Sequence, residues 1–167
     1  MSGFLQLGRW LPSVVIVVCL LGCTKTQMRQ KSSSMEPTIK SGEILEVKKR
    51  LTSLTFARWD AVVFEPPIGT GLWVSRIVGL PGELVEIRPD GLYIDGRAVS
   101  LPPHLSIGAY QLPKSVVVPQ GAKKIAFPYK IPPRHYFLLG DNVSNSLDSR
   151  YWGGLEESKI LGKVLGK

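Results

Sequence analysis

The sequence predicts a mainly β fold built from short antiparallel strands, and three observations favour it. Gly and Pro are frequent, with 17 and 13 copies in 167 residues, which indicates many turns rather than long helices. Short apolar or alternating runs lie between these turns. No long helical pattern and no internal repeat follows Cys23. With 44% hydrophobic residues, a chain of this length can bury one substantial core.

The N-terminal segment, residues 1–23, is the clearest targeting feature. An apolar run from Trp10 to Gly22 follows a stretch with one positive side chain, Arg9. A membrane-spanning helix takes about 20 apolar residues, and runs of about 10–14 are more typical of a signal peptide. The run ends in Leu20-Leu21-Gly22-Cys23, which is similar to a lipobox, in which the cysteine is lipidated and becomes the mature N-terminus. An uncleaved signal anchor ending at Cys23 is the alternative, and both put the following domain beside a membrane.

Charge and cysteine content exclude several function classes. The net charge of +8 suits an anionic surface, but the basic residues are scattered, so we expect a solvated face near a lipid bilayer and no nucleic-acid partner. Cys19 and Cys23 lie in the apolar segment, which leaves the following domain without a disulfide or a thiolate nucleophile. His104 and His135 are far apart, so neither a metal site nor any other cofactor is predicted.

After the apolar segment, residues 24–31 are interpreted as a polar tether and residues 32–167 as the folded domain. The turns Pro89-Asp90-Gly91 and Asp95-Gly96 predict hairpins. Residues from about 89 to 133 have weak periodicity and are interpreted as an inserted smaller β and loop region. The predicted strands are apolar or alternating runs between turn residues, namely Ile44–Val47, Arg58–Phe64, Leu72–Val78, Leu84–Ile87, Leu92–Ile94, Val116–Val118, Tyr136–Leu139 and Lys159–Leu165.

Four motifs follow one another in the domain. They are residues 32–38 (SSSMEPT), residues 58–64 (RWDAVVF), residues 76–83 (RIVGLPGE) and residues 140–153 (GDNVSNSLDSRYWG). In this order they resemble the type I signal peptidases, membrane-anchored serine proteases that cut signal peptides from exported proteins. The resemblance covers most of the chain from Ser32 onward. It implies a signal-peptidase-type β catalytic core of short antiparallel strands.

The resemblance also implies roles for the first motif. The serine directly before Met35 is Ser34, which corresponds to the nucleophile, and Met35 would pack beside the site. Ser32 corresponds to a side-chain donor to the oxyanion, next to the backbone N–H of Ser34. A serine hydroxyl needs a base that takes its proton, and in this family the base is a buried lysine whose proton affinity is lowered by its apolar surroundings.

The position of that lysine, directly before Arg76, holds Ser75 in this chain. A neutral hydroxyl cannot act as a general base at ordinary pH. Three explanations stay open. Another group, such as His135, His104 or Lys31, is the base; the protein binds peptides without cutting them; or it cleaves slowly with the oxyanion hole and bound water alone.

The remaining matched residues have supporting roles in the family. Ser146, Asp148 and Arg150 match residues that surround the lysine, and Asp141 and Arg76 match a charge pair that joins two motifs. These roles are structural, so they would persist if catalysis were lost.

The resemblance predicts a serine endopeptidase whose partners are the signal peptides of exported preproteins and the membrane lipid surface. The substrate would lie as an extended strand against the segment around Ser34 and the strand before Ser75. The domain would sit at the cell membrane on the outer, periplasmic or extracellular, side. A catalytically impaired peptide-binding or assembly factor on the same fold is the alternative, because of Ser75.

Overall fold

A computed structural model describes residues 25–50, 54–103, 105, 110 and 125–167. The predictions for residues 1–23, including the lipidation of Cys23, lie outside these residues. So do His104 and the strand predicted at residues 116–118. The described part of the chain contains no helix long and apolar enough to span a bilayer.

The described residues are mainly β, which confirms the predicted fold class. Two short 3₁₀ helices, Val143–Asn145 and Glu157–Lys159, are the helical elements among them. The eleven strands, in chain order, are β1 (Lys25–Arg29), β2 (Ile44–Lys49), β3 (Ala61–Phe64), β4 (Trp73–Gly79), β5 (Leu84–Arg88), β6 (Gly91–Ile94), β7 (Arg97–Ala98), β8 (Tyr129–Lys130), β9 (His135–Leu139), β10 (Leu155–Glu156) and β11 (Ile160–Val164).

These strands form two antiparallel sheets. The larger sheet has seven strands in the order β1-β2-β11-β3-β4-β9-β10, and the smaller has four in the order β7-β6-β5-β8. The C-terminal strand β11 lies between β2 and β3, so the end of the domain joins strands from its first half. The smaller sheet begins at Leu84, upstream of the predicted start of the inserted region, because β5 pairs with β6 and β8 and with no strand of the larger sheet.

The segment interpreted as a polar tether is instead the first strand. Residues Lys25–Arg29 pair with β2 over five residues, from Lys25 opposite Lys48 to Arg29 opposite Ile44. Most of the strand is exposed, and only Met28 packs against a core cluster. The strand therefore lacks the alternating apolar residues by which a strand is predicted from sequence. It is held by backbone hydrogen bonds to β2, which residue types do not reveal.

The second predicted strand is shorter than expected. It begins at Ala61 rather than Arg58, because the preceding residues form a turn in which Trp59 has a φ of 75°. The Asp60 carboxylate accepts a hydrogen bond of 2.9 Å from the Ala57 backbone N–H, which fixes that turn. All four residues of β3 are buried, as expected for a strand in the middle of the sheet.

A core cluster lies directly beneath the first motif. Met35 and Ile39 are fully buried there and pack with residues of β2, β3 and β4. The backbone N–H of Ile39 donates to the Met35 carbonyl at 2.9 Å, which closes one turn after the serines. The apolar anchor Met35 thus holds the serine loop on the surface of the larger sheet.

Candidate functional site

The three consecutive serines lie in the connection between β1 and β2. The Oγ atoms of Ser32 and Ser34 are 3.0 Å apart, within hydrogen-bonding distance. Gln30 Nε2 donates to Ser32 Oγ at 3.3 Å, and the Gln30 backbone N–H donates to the Glu43 carbonyl at 2.8 Å. The base of the loop is therefore fixed by the β1–β2 hairpin, and the two hydroxyls are held side by side.

The segment that follows β9 holds the other side of the serine loop. The Asn142 backbone N–H donates to the Ser34 carbonyl at 2.9 Å, and Asn142 Nδ2 donates to the Ser33 carbonyl at 3.0 Å. Asn145 Nδ2 donates to Ser33 Oγ at 2.8 Å. The first and last motifs, more than a hundred residues apart, meet through these contacts.

A cleft of about 670 Å³ lies beside Ser34. Eight of its fourteen described lining residues are polar and uncharged, and Lys31 is the titratable side chain among them. The lining residues are Gln30, Lys31, Ser32, Ser34, Thr70, Gly71, Leu72, Trp73, Val74, Ser75, Ser144, Asn145, Ser146 and Leu147. The cleft therefore brings together the predicted nucleophile, the predicted oxyanion donor, the position of the family's lysine and the matched Ser146.

The two inner hydroxyls of the cleft are almost fully buried. Ser75 lies in β4 opposite Val62, and Ser75 and Ser146 are each 3% exposed. Ser146 Oγ has no hydrogen-bond partner among the described residues. A buried hydroxyl without a partner is unusual in a folded protein.

Asp148 and Arg150 hold the loop that carries Ser146. The guanidinium of Arg150 makes a bidentate pair with the carboxylate, with Nε–Oδ1 and Nη2–Oδ2 distances of 2.7 Å each. Asp148 Oδ2 also accepts the Gly140 N–H at 3.0 Å, and Arg150 Nη1 donates to the Val143 carbonyl at 2.9 Å. Both side chains are buried, so the pair fixes the loop rather than contacting solvent.

Arg76 and Asp141 form a second buried ion pair. Arg76 Nε donates to Asp141 Oδ1 at 2.9 Å and Nη2 to Oδ2 at 2.6 Å, and both side chains are 0% exposed. Thr38 Oγ1 donates to Oδ2 of the same carboxylate, and the Tyr110 hydroxyl donates to Oδ1 at 3.0 Å. Burial raises the pKa of Tyr110 well above its ordinary value, and the charge of Asp141 raises it further.

The predicted alternative bases have different positions. Lys31 is exposed and lines the cleft. His135 is the first residue of β9, its Nδ1 donates to the Pro133 carbonyl at 2.8 Å, and it is not part of the cleft lining. Among the described residues, no group of three or more His, Cys, Asp or Glu side chains is placed to hold a metal ion.

Sequence reasoning missed three features of the site. Thr38 is the last residue of the first motif, and that position could have indicated its structural contact with Asp141. Tyr110 lies in a stretch without periodicity, and nothing in the sequence points to its contact with Asp141. The unpaired state of Ser146 is a property of the packed cleft, which a motif cannot display.

Known proteins share both the sequence pattern and the fold. A family model described as signal peptidase, peptidase S26 matches residues 5–166. Signal peptidase I V of Bacillus subtilis (strain 168) is 31% identical over 153 residues, which cover 91% of this chain and 90% of that protein. Signal peptidase I T of the same strain is 37% identical over 134 residues, which cover 79% of this chain and 67% of that protein.

The fold comparison agrees with the sequence matches. The crystal structure of a signal peptidase I from Enterococcus faecalis V583 superposes with a TM-score of 0.52 at 29% sequence identity, and the match covers 66% of this chain and 97% of that chain. The β core and these relatives define the class of protein as a serine peptidase. More particularly, the chain belongs to the signal peptidase family, peptidase S26.

Proposed function

We propose that this chain is a membrane-bound serine endopeptidase of the signal peptidase I type, which cleaves signal peptides from exported proteins with Ser34 as nucleophile. The observation that carries the proposal is the hydroxyl pair of Ser32 and Ser34, 3.0 Å apart in a cleft of about 670 Å³. Membership of the signal peptidase family supplies the substrate class.

In the proposed reaction Ser34 Oγ attacks the scissile carbonyl carbon, and negative charge develops on the carbonyl oxygen. The Ser32 hydroxyl and the backbone N–H of Ser34 would donate to that oxygen. Such donors are fixed before the reaction begins, and losing one typically costs about 10²–10³ in rate. The hydrogen bond from Gln30 to Ser32 Oγ supports this orientation of the donor.

An extended peptide is the substrate shape that suits the cleft. Leu72 and Trp73 line it on the side of β4, and Leu72 is 50% exposed, which leaves apolar surface for substrate side chains. A peptide strand lying beside Leu72 and Trp73 would gain main-chain hydrogen bonds, while shallow apolar contacts would select its residues.

We further propose that residues 1–23 hold the domain at the outer face of the cell membrane, either through a lipidated Cys23 or as an uncleaved anchor. The net charge of +8 favours a position close to anionic lipid headgroups.

The test is cleavage of a signal-peptide substrate by the full chain in detergent. We expect slow cleavage by the wild type, none by Ser34→Ala, and a rate about 10²–10⁴-fold higher for Ser75→Lys, because a buried lysine supplies a general base. Ser144→Lys is the matched control, since it adds the same charge at an exposed serine of the same cleft and should not raise the rate.

A specific observation favours a second function, a peptide-binding factor that does not cut. Ser75 is a buried hydroxyl, and no carboxylate or histidine lies among the described residues of the cleft. A silent wild type whose Ser75→Lys variant cleaves would make binding the natural function. A Ser75→Lys variant that folds but also fails to cleave would overturn the role of Ser34.

A further inference from the structure

Three lysines lie side by side across the β1 edge of the larger sheet. Lys25 of β1 is opposite Lys48 of β2, and Lys48 is in turn opposite Lys163 of β11. Side chains at directly opposite positions of antiparallel strands share one face, with Cβ atoms about 4.5–5.5 Å apart, and like charges in such pairs destabilise the sheet. These three residues, which we call the lysine row, therefore concentrate positive charge at a cost to the fold.

Carboxylates compensate the two outer lysines of the row but not the middle one. Lys25 Nζ is 2.8 Å from Glu46 Oε1, and Lys163 Nζ is 2.6 Å from Asp60 Oδ1. Lys48 is exposed and makes no ion pair within the part of the chain that the structure describes. The row thus keeps a net positive charge that attracts an anion from outside the protein.

The position of the row in the chain indicates which anion it meets. Lys25 is the first residue of β1 and follows Cys23, the end of the proposed anchor, by two residues. Two residues of extended chain span at most about 7 Å. The Debye length at physiological ionic strength is about 8 Å, so the charge of a lipid headgroup at Cys23 is still felt at Lys25. Both forms of the anchor, a lipidated Cys23 and an uncleaved segment, meet this condition.

We propose that the lysine row binds the anionic headgroups of membrane phospholipids and holds the β1 edge of the domain against the bilayer. This inference rests on the proposed membrane-bound function and adds to it the surface that faces the lipid. The Lys48 ammonium has three N–H donors, and a headgroup phosphate supplies acceptor oxygens for them. An anion shared by the row replaces repulsion between the lysines with attraction. Since β1 leads into the serine loop, the contact also orients that loop relative to the membrane.

The experiment measures how fast a membrane-impermeant acetylating reagent modifies Lys48 in the full chain reconstituted into vesicles. Lys130, exposed in β8 of the smaller sheet, is the internal reference within each molecule. One set of vesicles is phosphatidylcholine alone, and in the other about one third of the lipid is phosphatidylglycerol. We expect phosphatidylglycerol to lower the ratio of Lys48 to Lys130 modification at least about 5-fold. Salt at about 1 M, where the Debye length is about 3 Å, should restore the ratio.

A matched pair of variants tests whether the row acts as a unit. Lys25→Gln removes a neighbouring charge and should weaken the protection of Lys48 by phosphatidylglycerol. Lys159→Gln breaks a comparable surface ion pair outside the row, that of Lys159 and Glu65, and should leave the protection unchanged. Equal effects of the two variants would overturn the assignment to the row.

Lys48→Gln tests the row without any lipid. It relieves the repulsion on both sides of β2, so it should raise the urea concentration at the midpoint of unfolding in detergent, whereas Lys130→Gln should not. A lower midpoint for Lys48→Gln would show that the protein itself compensates Lys48, and it would overturn the proposal.

Flotation with phosphatidylcholine vesicles separates this inference from the proposed function. A chain that floats with the vesicles but whose Lys48 is modified equally in both lipids would overturn the lysine row and leave the anchoring in place. A chain that does not float would overturn the anchoring and the inference together. The peptidase activity is tested separately, because cleavage in detergent by the Ser75→Lys variant requires no anionic lipid.

Discussion

The carboxylate of Asp141 is a buried group on which polar contacts from several segments converge. It accepts hydrogen bonds from Arg76, from the Thr38 hydroxyl and from the Tyr110 hydroxyl. These donors come from β4, the serine loop and the inserted region. One fully buried charge therefore joins three segments, and its cost of burial is offset only while these donors stay in place.

Replacing Tyr110 with Phe tests this convergence. Hydrogen bonds to charged groups contribute about 1.5–3 kcal/mol, so we expect Tyr110→Phe to lower the free energy of unfolding by that amount at neutral pH. The pKa of Tyr110 is raised in the folded state, chiefly by burial, above the unfolded value of about 10. The stabilisation of the folded state by the Tyr110 hydroxyl is thus complete below a pH of about 10 and is lost as the pH rises through the folded-state pKa. The difference in unfolding free energy between wild type and Tyr110→Phe should therefore narrow at alkaline pH.

Urea denaturation from neutral to alkaline pH measures both effects. Tyr93→Phe is the matched control, because the Tyr93 hydroxyl donates to Asp90 at 2.6 Å at an exposed position where water can replace the bond. An equal loss of unfolding free energy in the two variants would show that the contact with Asp141 stabilises the fold no more than an exposed hydrogen bond does. A Tyr110→Phe effect that does not change with pH would show the same.

At the scale of elements, the strands that the sequence predicted well are those with an apolar pattern between turns. β2, β5, β6 and β9 begin within a residue of their predicted positions, because Gly or Pro turns bound them and their buried residues alternate or run together. β1 was missed because its stabilising contacts are backbone hydrogen bonds to β2, and its polar side chains are exposed.

The functional site likewise has some features that the sequence predicts and others that it does not. Motifs predicted which residues gather at the cleft, since Ser34, Ser75 and Ser146 line one cavity. They could not predict that Tyr110 reaches Asp141 or that Ser146 Oγ lacks a partner. Both features depend on contacts between distant segments, and such contacts are fixed by packing rather than by local pattern.

The connection after β9 gives the prediction at this scale. Gly140→Ala places a methyl group 2.6 Å from the Ser34 carbonyl oxygen and even closer to Ser146 Oγ, and the first of these atoms is backbone. Overpacking typically costs about 1–3 kcal/mol, so we expect a loss of stability of that size together with a displaced Ser34. Cleavage by a Ser75→Lys background should fall at least about 10-fold, because small displacements of a reacting group are costly.

Gly154→Ala separates the loss of stability from the loss of cleavage rate. Its added methyl group would meet His135 Cβ at 3.0 Å, outside the cleft, so it should cost stability with little change in cleavage rate. If Gly140→Ala kept full activity, the close approach of Ser146 and Ser34 would not matter for the chemistry.

At the scale of the whole molecule, two kinds of ion pair contribute very differently. The pair of Arg76 and Asp141 is 0% exposed and links β4 to the segment after β9. The pair of Lys159 and Glu65, 3.2 Å apart, is about half exposed at both partners. Solvent and salt screen the second pair, whereas the first holds charge in the interior where only its partners compensate it.

Arg76→Met should therefore lower the free energy of unfolding by about 3–5 kcal/mol, because it leaves the Asp141 carboxylate buried without a cation. Lys159→Met, the same substitution class at the surface pair, should cost no more than about 1 kcal/mol, and added salt should reduce even that. Adding Asp141→Leu to Arg76→Met should restore part of the loss, since the uncompensated charge is then removed. Denaturant titrations of the three variants at low and high salt measure these differences. A small, salt-sensitive loss for Arg76→Met would mean that the interior around Asp141 admits water and that the buried pair does not hold the two motifs together.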